Sequence, residues 1–140
     1  MADDIKKISA KAAQAALTDA VDWRQYDGMR IVKSTASSIY LVMWGQLHWI
    51  PDPGTFNSVF RDWNGIVTSD YLTNSIPMGT PLSDLSFIAI SPASPAQYLI
   101  TMNAKHLIPT PAVADKFNFH SPVKLPVLAL QYIPSWTDVS

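Results

Sequence analysis

Residues 39–53 read Ile-Tyr-Leu-Val-Met-Trp-Gly-Gln-Leu-His-Trp-Ile-Pro-Asp-Pro, and residues 97–111 read Gln-Tyr-Leu-Ile-Thr-Met-Asn-Ala-Lys-His-Leu-Ile-Pro-Thr-Pro. Tyr40 answers Tyr98, Leu41 answers Leu99, His48 answers His106, and Ile50, Pro51 and Pro53 answer Ile108, Pro109 and Pro111. Downstream, Ile76-Pro77 is echoed by Ile133-Pro134 after a one-residue slip. The pattern divides the chain into a leading segment, 1–28, and a single domain, 29–140, made of two repeats, 29–84 and 85–140. Such a duplication usually means a pseudo-symmetric scaffold or paired binding surfaces, and only rarely two active sites.

Each copy predicts the same succession. An entry strand (29–33; 87–90) leads through a polar loop (34–38; 91–96) into a β-hairpin (39–43 with 46–50; 98–101 with 105–108). Gly45 and Asn103 fall at the same place in the two hairpins, and both residues tolerate the positive φ of a tight turn. Asp52 then reads as a helix N-cap with Pro53 in the first helical position, which predicts short helices over 53–60 and 111–117. Extended closing stretches follow, 66–71 running to Ile76-Pro77 and 123–131 running to Ile133-Pro134. Ahead of the repeats, Ile5, Ile8, Ala12 and Ala15 recur at helical spacing while Lys6, Lys7, Lys11 and Gln14 take the other positions, an amphipathic helix over 3–20 expected to dock on the domain, with a dimer seam or a mobile arm as the competing readings. The expected fold class is α+β, mainly β, with two pseudo-symmetric repeats of hairpin, short helix and closing strand after an N-terminal amphipathic helix. The repeats are expected to join as one continuous sheet or as a two-fold barrel.

Composition narrows the function classes. The chain has 140 residues, 48% hydrophobic, with a net charge of -1, enough for a core without metal or disulfide staples and too neutral to attract nucleic acid broadly. The absence of cysteine removes disulfides, thiolate catalysis and cysteine-bound zinc. There is no HExxH, no GxGxxG or phosphate-binding loop and no Gly-x-Ser-x-Gly elbow, so no catalytic residue, metal or cofactor is assigned. The first residues lack the apolar stretch of a signal peptide and no run reaches transmembrane length. A cytoplasmic location without a membrane span is therefore expected, with non-classical release left open.

The run Tyr-Leu-Val-x-x-Gly-x-x-x-x-Ile-Pro-Asp-Pro-x-Thr-Phe at 40–56, followed by Ile76-Pro77-Met78-Gly79-Thr80-Pro81-Leu82, resembles a short tandem repeat of bacterial secreted or surface-associated proteins. The second copy keeps Tyr98-Leu99 and Ile108-Pro109 but has Val113-Ala114 for Thr-Phe and Trp136 for the closing Gly. The resemblance implies a recognition or display module for cell-surface or carbohydrate ligands, and transfers no catalytic residue.

Five tryptophans and five tyrosines supply flat faces for stacking, and neighbouring Asp and Asn side chains supply directional hydrogen bonds. Trp44 stands at a hairpin tip, where a ring left in water suggests a contact; Trp49 alternates in a way that suits core burial. Asn57, Asp62, Trp63 and Asn64 form the most polar-aromatic cluster. These five residues, Trp44, Asn57, Asp62, Trp63 and Asn64, are the expected ligand-binding set, with ordinary turn chemistry as the competing reading of the Asp-Trp-Asn-Gly loop. His48 and His106 are expected to hydrogen-bond neighbouring carbonyls. The expected function is non-enzymatic, lectin-like recognition of a glycan or cell-surface ligand, with self-association adding avidity. A protein-interaction or toxin-assembly role is the alternative, and a small hydrolase using His and Asp the second alternative.

Overall fold

The computed structural model describes residues 21–140, so the amphipathic helix expected over 3–20 lies outside the described residues. After a 3-10 turn at Trp23–Tyr26 come β1 (Arg30–Val32), β2 (Ile39–Met43), β3 (Gln46–Trp49), α1 (Pro53–Val59), β4 (Ile66–Thr68) and α2 (Asp70–Ser75). The second copy repeats the order as β5 (Phe87–Ser91), β6 (Ser94–Thr101), β7 (Ala104–Ile108), α3 (Pro111–Lys116), β8 (Val123–Lys124) and α4 (Val127–Tyr132). The two sheets have matching strand orders, β3-β2-β1-β4 and β7-β6-β5-β8. In each, the last strand runs parallel to the entry strand because a helix carries the chain across, while the other pairs are antiparallel. The fold is mixed α/β and mainly β, and the matching sheets fit the pseudo-symmetry of the sequence.

The hairpins turn where the sequence places them. Met43 pairs with Gln46 and Thr101 with Ala104, leaving two-residue loops in which Trp44 and Gly45 have φ of 55° and 70° and Met102 and Asn103 of 53° and 60°. Two successive left-handed residues give the primed turn whose twist matches the strands. Helix starts also follow local chemistry: Asp52 accepts from the Thr55 N–H at 2.7 Å and Thr110 from the Val113 N–H at 3.2 Å, each ahead of a proline.

Two expected segments are corrected. The closing stretches are short strands followed by helices α2 and α4. Ser69 accepts from the Leu72 N–H at 3.1 Å and starts α2, and burial of Leu72 and Ile76, four residues apart, favours helix there. The polar loop expected over 91–96 is a tight turn, because β6 begins at Ser94.

The core has two parts. The inner faces of both sheets meet in a cluster holding Leu41 with Leu99, Ile50 with Ile108 and Leu82 with Val139, joined by Phe56, Phe60, Phe117 and Phe119. Equivalent positions of the two copies thus share one core. The copies also pair directly: Phe60 bridges Phe119, the Arg61 N–H donates to Asn118 O at 2.9 Å and the His120 N–H to Val59 O at 2.7 Å. A smaller cluster on the outer face of the first sheet contains Ile31, Val42, Leu47, Leu72 and Ile76, with Trp23 and Tyr26 packed over it. Trp49, expected in the core, is 40% exposed. It shares the outer face with Leu47, at the margin of that cover.

Candidate functional site

Two clefts stand out. The first, about 550 Å³, lies between the hairpin tips and is lined by Trp44 and Gln46 of one copy, by Met102 and Asn103 of the other, and by Trp136 and Thr137. The Trp44 ring centroid is 5.5 Å from that of His48 and 5.1 Å from that of His106, and its indole N–H donates to Asp138 O at 2.8 Å. Trp44 thus folds back between the two repeated histidines and leaves only part of its surface open. Trp136 is 71% exposed.

The hairpin tip is held from below. Asp27 is buried and accepts from the Gly45 N–H at 3.0 Å and the Trp44 N–H at 3.2 Å. Burial pushes its carboxyl above the usual range, opposed by those N–H groups and by Lys116 and Arg24. His48 sets Nδ1 2.6 Å from Thr80 O and Nε2 2.9 Å from Met43 O. His106 repeats this with Thr137 O at 2.7 Å and Thr101 O at 3.3 Å. Both rings are buried, and all four nitrogens lie within hydrogen-bond distance of backbone carbonyls, which fits a structural role. Among the described residues no three His or Asp side chains converge on a metal position, and no helix is long and apolar enough to cross a membrane.

None of the other four expected residues lines the cleft that holds Trp44. The Trp63 indole N–H donates to Asn57 Oδ1 at 2.7 Å, and its ring stacks on Phe56 at 3.9 Å with an interplanar angle of 22°. Asp62 Oδ1 accepts from the Asn64 N–H at 3.0 Å and from Asn118 Nδ2 at 3.2 Å, which is turn chemistry. The carbonyls of Asp62 and Asn64 accept from the guanidinium of Arg30 at 3.0 and 2.7 Å. Arg30 is buried, lies over the Phe56 and Phe60 rings, and its Nε has no partner among the described residues. At the matching place the second copy has Ile88. A buried cation therefore fixes the loop that carries Trp63.

The second cleft, about 820 Å³, belongs to the second copy. It is lined by Gln97, Leu107, Pro109, Ala114, Asp115 and Phe119, among others. Arg61 reaches it from the first copy, donating to Asp115 Oδ1 at 2.6 Å and to Phe119 O at 2.8 Å. Near the start of α1, Asp52 and Asp84 interact through their carboxyl groups. The Thr55 N–H is the main cause holding Asp52 below the usual range, and the hydrogen bond with Asp52 is the main cause raising Asp84.

Sequence reasoning missed Gln46, Asn103 and Trp136 as cleft residues and Arg30 as the loop anchor. One signal was available, the replacement of the closing Gly79 by Trp136. A Cβ at Gly79 would lie 2.7 Å from Gln46 Oε1 and 2.9 Å from His48 Cε1. The first copy therefore has no room for a side chain where the second copy projects a tryptophan. No family model, curated protein or solved structure matches the chain.

Proposed function

We propose that this protein is a non-enzymatic recognition module of lectin-like type, holding a carbohydrate between its two hairpin tips. The observation that carries this reading is the cleft in which Trp44 and Trp136 stand together with Gln46 and Asn103. Indole faces suit the C–H edges of a sugar ring, and side-chain amides suit its hydroxyls, each able to donate and accept. The histidines behind Trp44 are engaged with carbonyls, which favours binding over proton transfer. The Asn57–Trp63 loop offers a second, shallower face. Self-association would add avidity to weak single sites.

A glycan array with labelled protein tests the reading. Sugar-dependent signal is expected, lost in Trp136→Ala and Trp44→Ala; Trp63→Ala measures the part played by the other loop. A silent array from folded protein would overturn it. A protein-partner role is the second reading, favoured by Leu128 and Tyr132, which sit four residues apart on α4 and are 67% and 85% exposed.

A further inference from the structure

The first copy contains an aromatic stack that the second copy lacks. In the first, Phe56 and Asn57 of α1 receive the Trp63 indole, the phenyl ring as a stacking face and the amide oxygen as acceptor for the ring N–H. In α3 the equivalent positions, five and six residues after Pro109 as Phe56 and Asn57 are after Pro51, hold Ala114 and Asp115. The loop that follows is shorter. Val67 pairs with Ile31, and its counterpart Val123 pairs with Ala89. From the first helical proline to that strand residue the first copy runs 14 positions (53 to 67) and the second 12 (111 to 123). The shortened loop contains no tryptophan. Phenyl ring and indole are both gone, and the 820 Å³ cleft borders Ala114 and Asp115.

We propose that this cleft is a binding site for a planar bicyclic aromatic carrying a ring N–H, an indole above all, which occupies in the second copy the place that Trp63 occupies in the first. Leu107, Pro109, Ala114 and Phe119 give the cleft apolar walls. Asp115 stands where Asn57 accepts the indole N–H, and its carboxylate is a stronger acceptor than an amide. Arg61 holds that carboxylate through Oδ1, which positions it without consuming all of its acceptor capacity. The volume lies within the range of small-molecule sites. The ligand is either a free indole or the side chain of a peptide tryptophan; both present the same ring and the same N–H. This site is separate from the cleft between the hairpin tips and does not depend on the carbohydrate reading.

The test is titration of ¹⁵N-labelled protein with indole, 1-methylindole and N-acetyltryptophanamide, following backbone amides by NMR. Indole is expected to shift Leu107, Ala114 and Asp115 with a dissociation constant on the order of a millimolar, as its few atoms allow. The 1-methyl compound keeps the stacking surface but has no N–H, and is expected to bind about tenfold more weakly. Ala114→Phe fills the cleft and is expected to abolish the shifts, while Asp115→Asn, which retains an acceptor, preserves them and Asp115→Ala weakens binding about tenfold. Tighter binding of N-acetyltryptophanamide than of indole would assign the peptide source; weaker binding would assign the free ring. The proposal is overturned if indole leaves these amides unmoved, if 1-methylindole binds equally well, or if folded Ala114→Phe still responds as the wild type does.

Discussion

Removing Trp63 should both weaken the protein and open a second aromatic groove. Trp63 is 45% exposed, so somewhat over half of its surface, roughly 130 Å², leaves water on folding. At about 25 cal/mol/Å² that burial is worth about 3 kcal/mol, an upper figure because the unfolded chain already covers part of it. The stack on Phe56 adds about 1 kcal/mol and the bond to Asn57 about 1 kcal/mol. Against these stand the rotamer freedom recovered by the truncated side chain and collapse of the loop toward Phe56. Trp63→Ala should therefore cost about 2–4 kcal/mol, a fall in Tm of about 7–14 °C at this chain length. The variant leaves the Phe56 ring and the Asn57 amide without their indole partner, and any collapse of the loop is reversible on binding a replacement. Added indole should then raise its Tm by a further increment that the wild type does not show. At ten times the dissociation constant one bound ligand contributes about 1.4 kcal/mol, about 5 °C per groove. Differential scanning calorimetry with and without indole reads both effects. A change below about 0.5 kcal/mol in Trp63→Ala, as expected of an uninvolved surface residue, or equal indole-induced shifts in variant and wild type, would refute the reasoning.

Three further outcomes follow from the packing. Leu41→Ala and Leu99→Ala remove equivalent, fully buried leucines from the shared core, so each should cost about 2.7–5 kcal/mol; urea unfolding should remain a single transition, and separate transitions for the two copies would contradict a shared core. Gly28 has φ of 96°, and a Cβ there would lie 2.8 Å from Lys116 O; Gly28→Ala should therefore destabilise by about 2 kcal/mol or more by the same assay. The Ser34 hydroxyl at 2.7 Å and the Ser34 N–H at 2.7 Å hold the Asp70 carboxyl below its usual range, with Lys33 nearby. A depressed carboxyl contributes stability above its unfolded pKa of about 4 and loses it as pH falls through the folded value. Asp70→Ala should thus flatten the acid limb of a stability profile measured between pH 5 and pH 2, and an unchanged limb would show that the contact carries no linkage.

Much of the architecture was legible because it rests on local chemistry. The repeated Tyr-Leu and Ile-Pro-x-Pro segments, the turn residues Gly45 and Asn103, and the Asp52-Pro53 cap announce hairpins and helix starts within a few residues of chain. Helices α2 and α4 were not legible, since their short, partly exposed sequences have no strong period and their place depends on the sheets they pack against. The cleft around Trp44 was not legible for a similar reason. Residues 57 to 64 are neighbours in the chain, whereas two of the groups that hold the Trp44 ring, His106 and Asp138, come from the other copy.

The sequence by itself determined the duplication, the turns, the caps and the absence of thiol chemistry, because each is a property of a residue and its immediate neighbours. Tertiary structure decided how the two copies meet: it brought Leu41 to Leu99's core, set Trp44 between His48 and His106, and left Ala114 and Asp115 beside an open cleft. Those outcomes depend on how two nearly alike units meet. A substitution that barely alters a repeat's local pattern, such as alanine where its twin has phenylalanine, can be what distinguishes a filled core from a cleft.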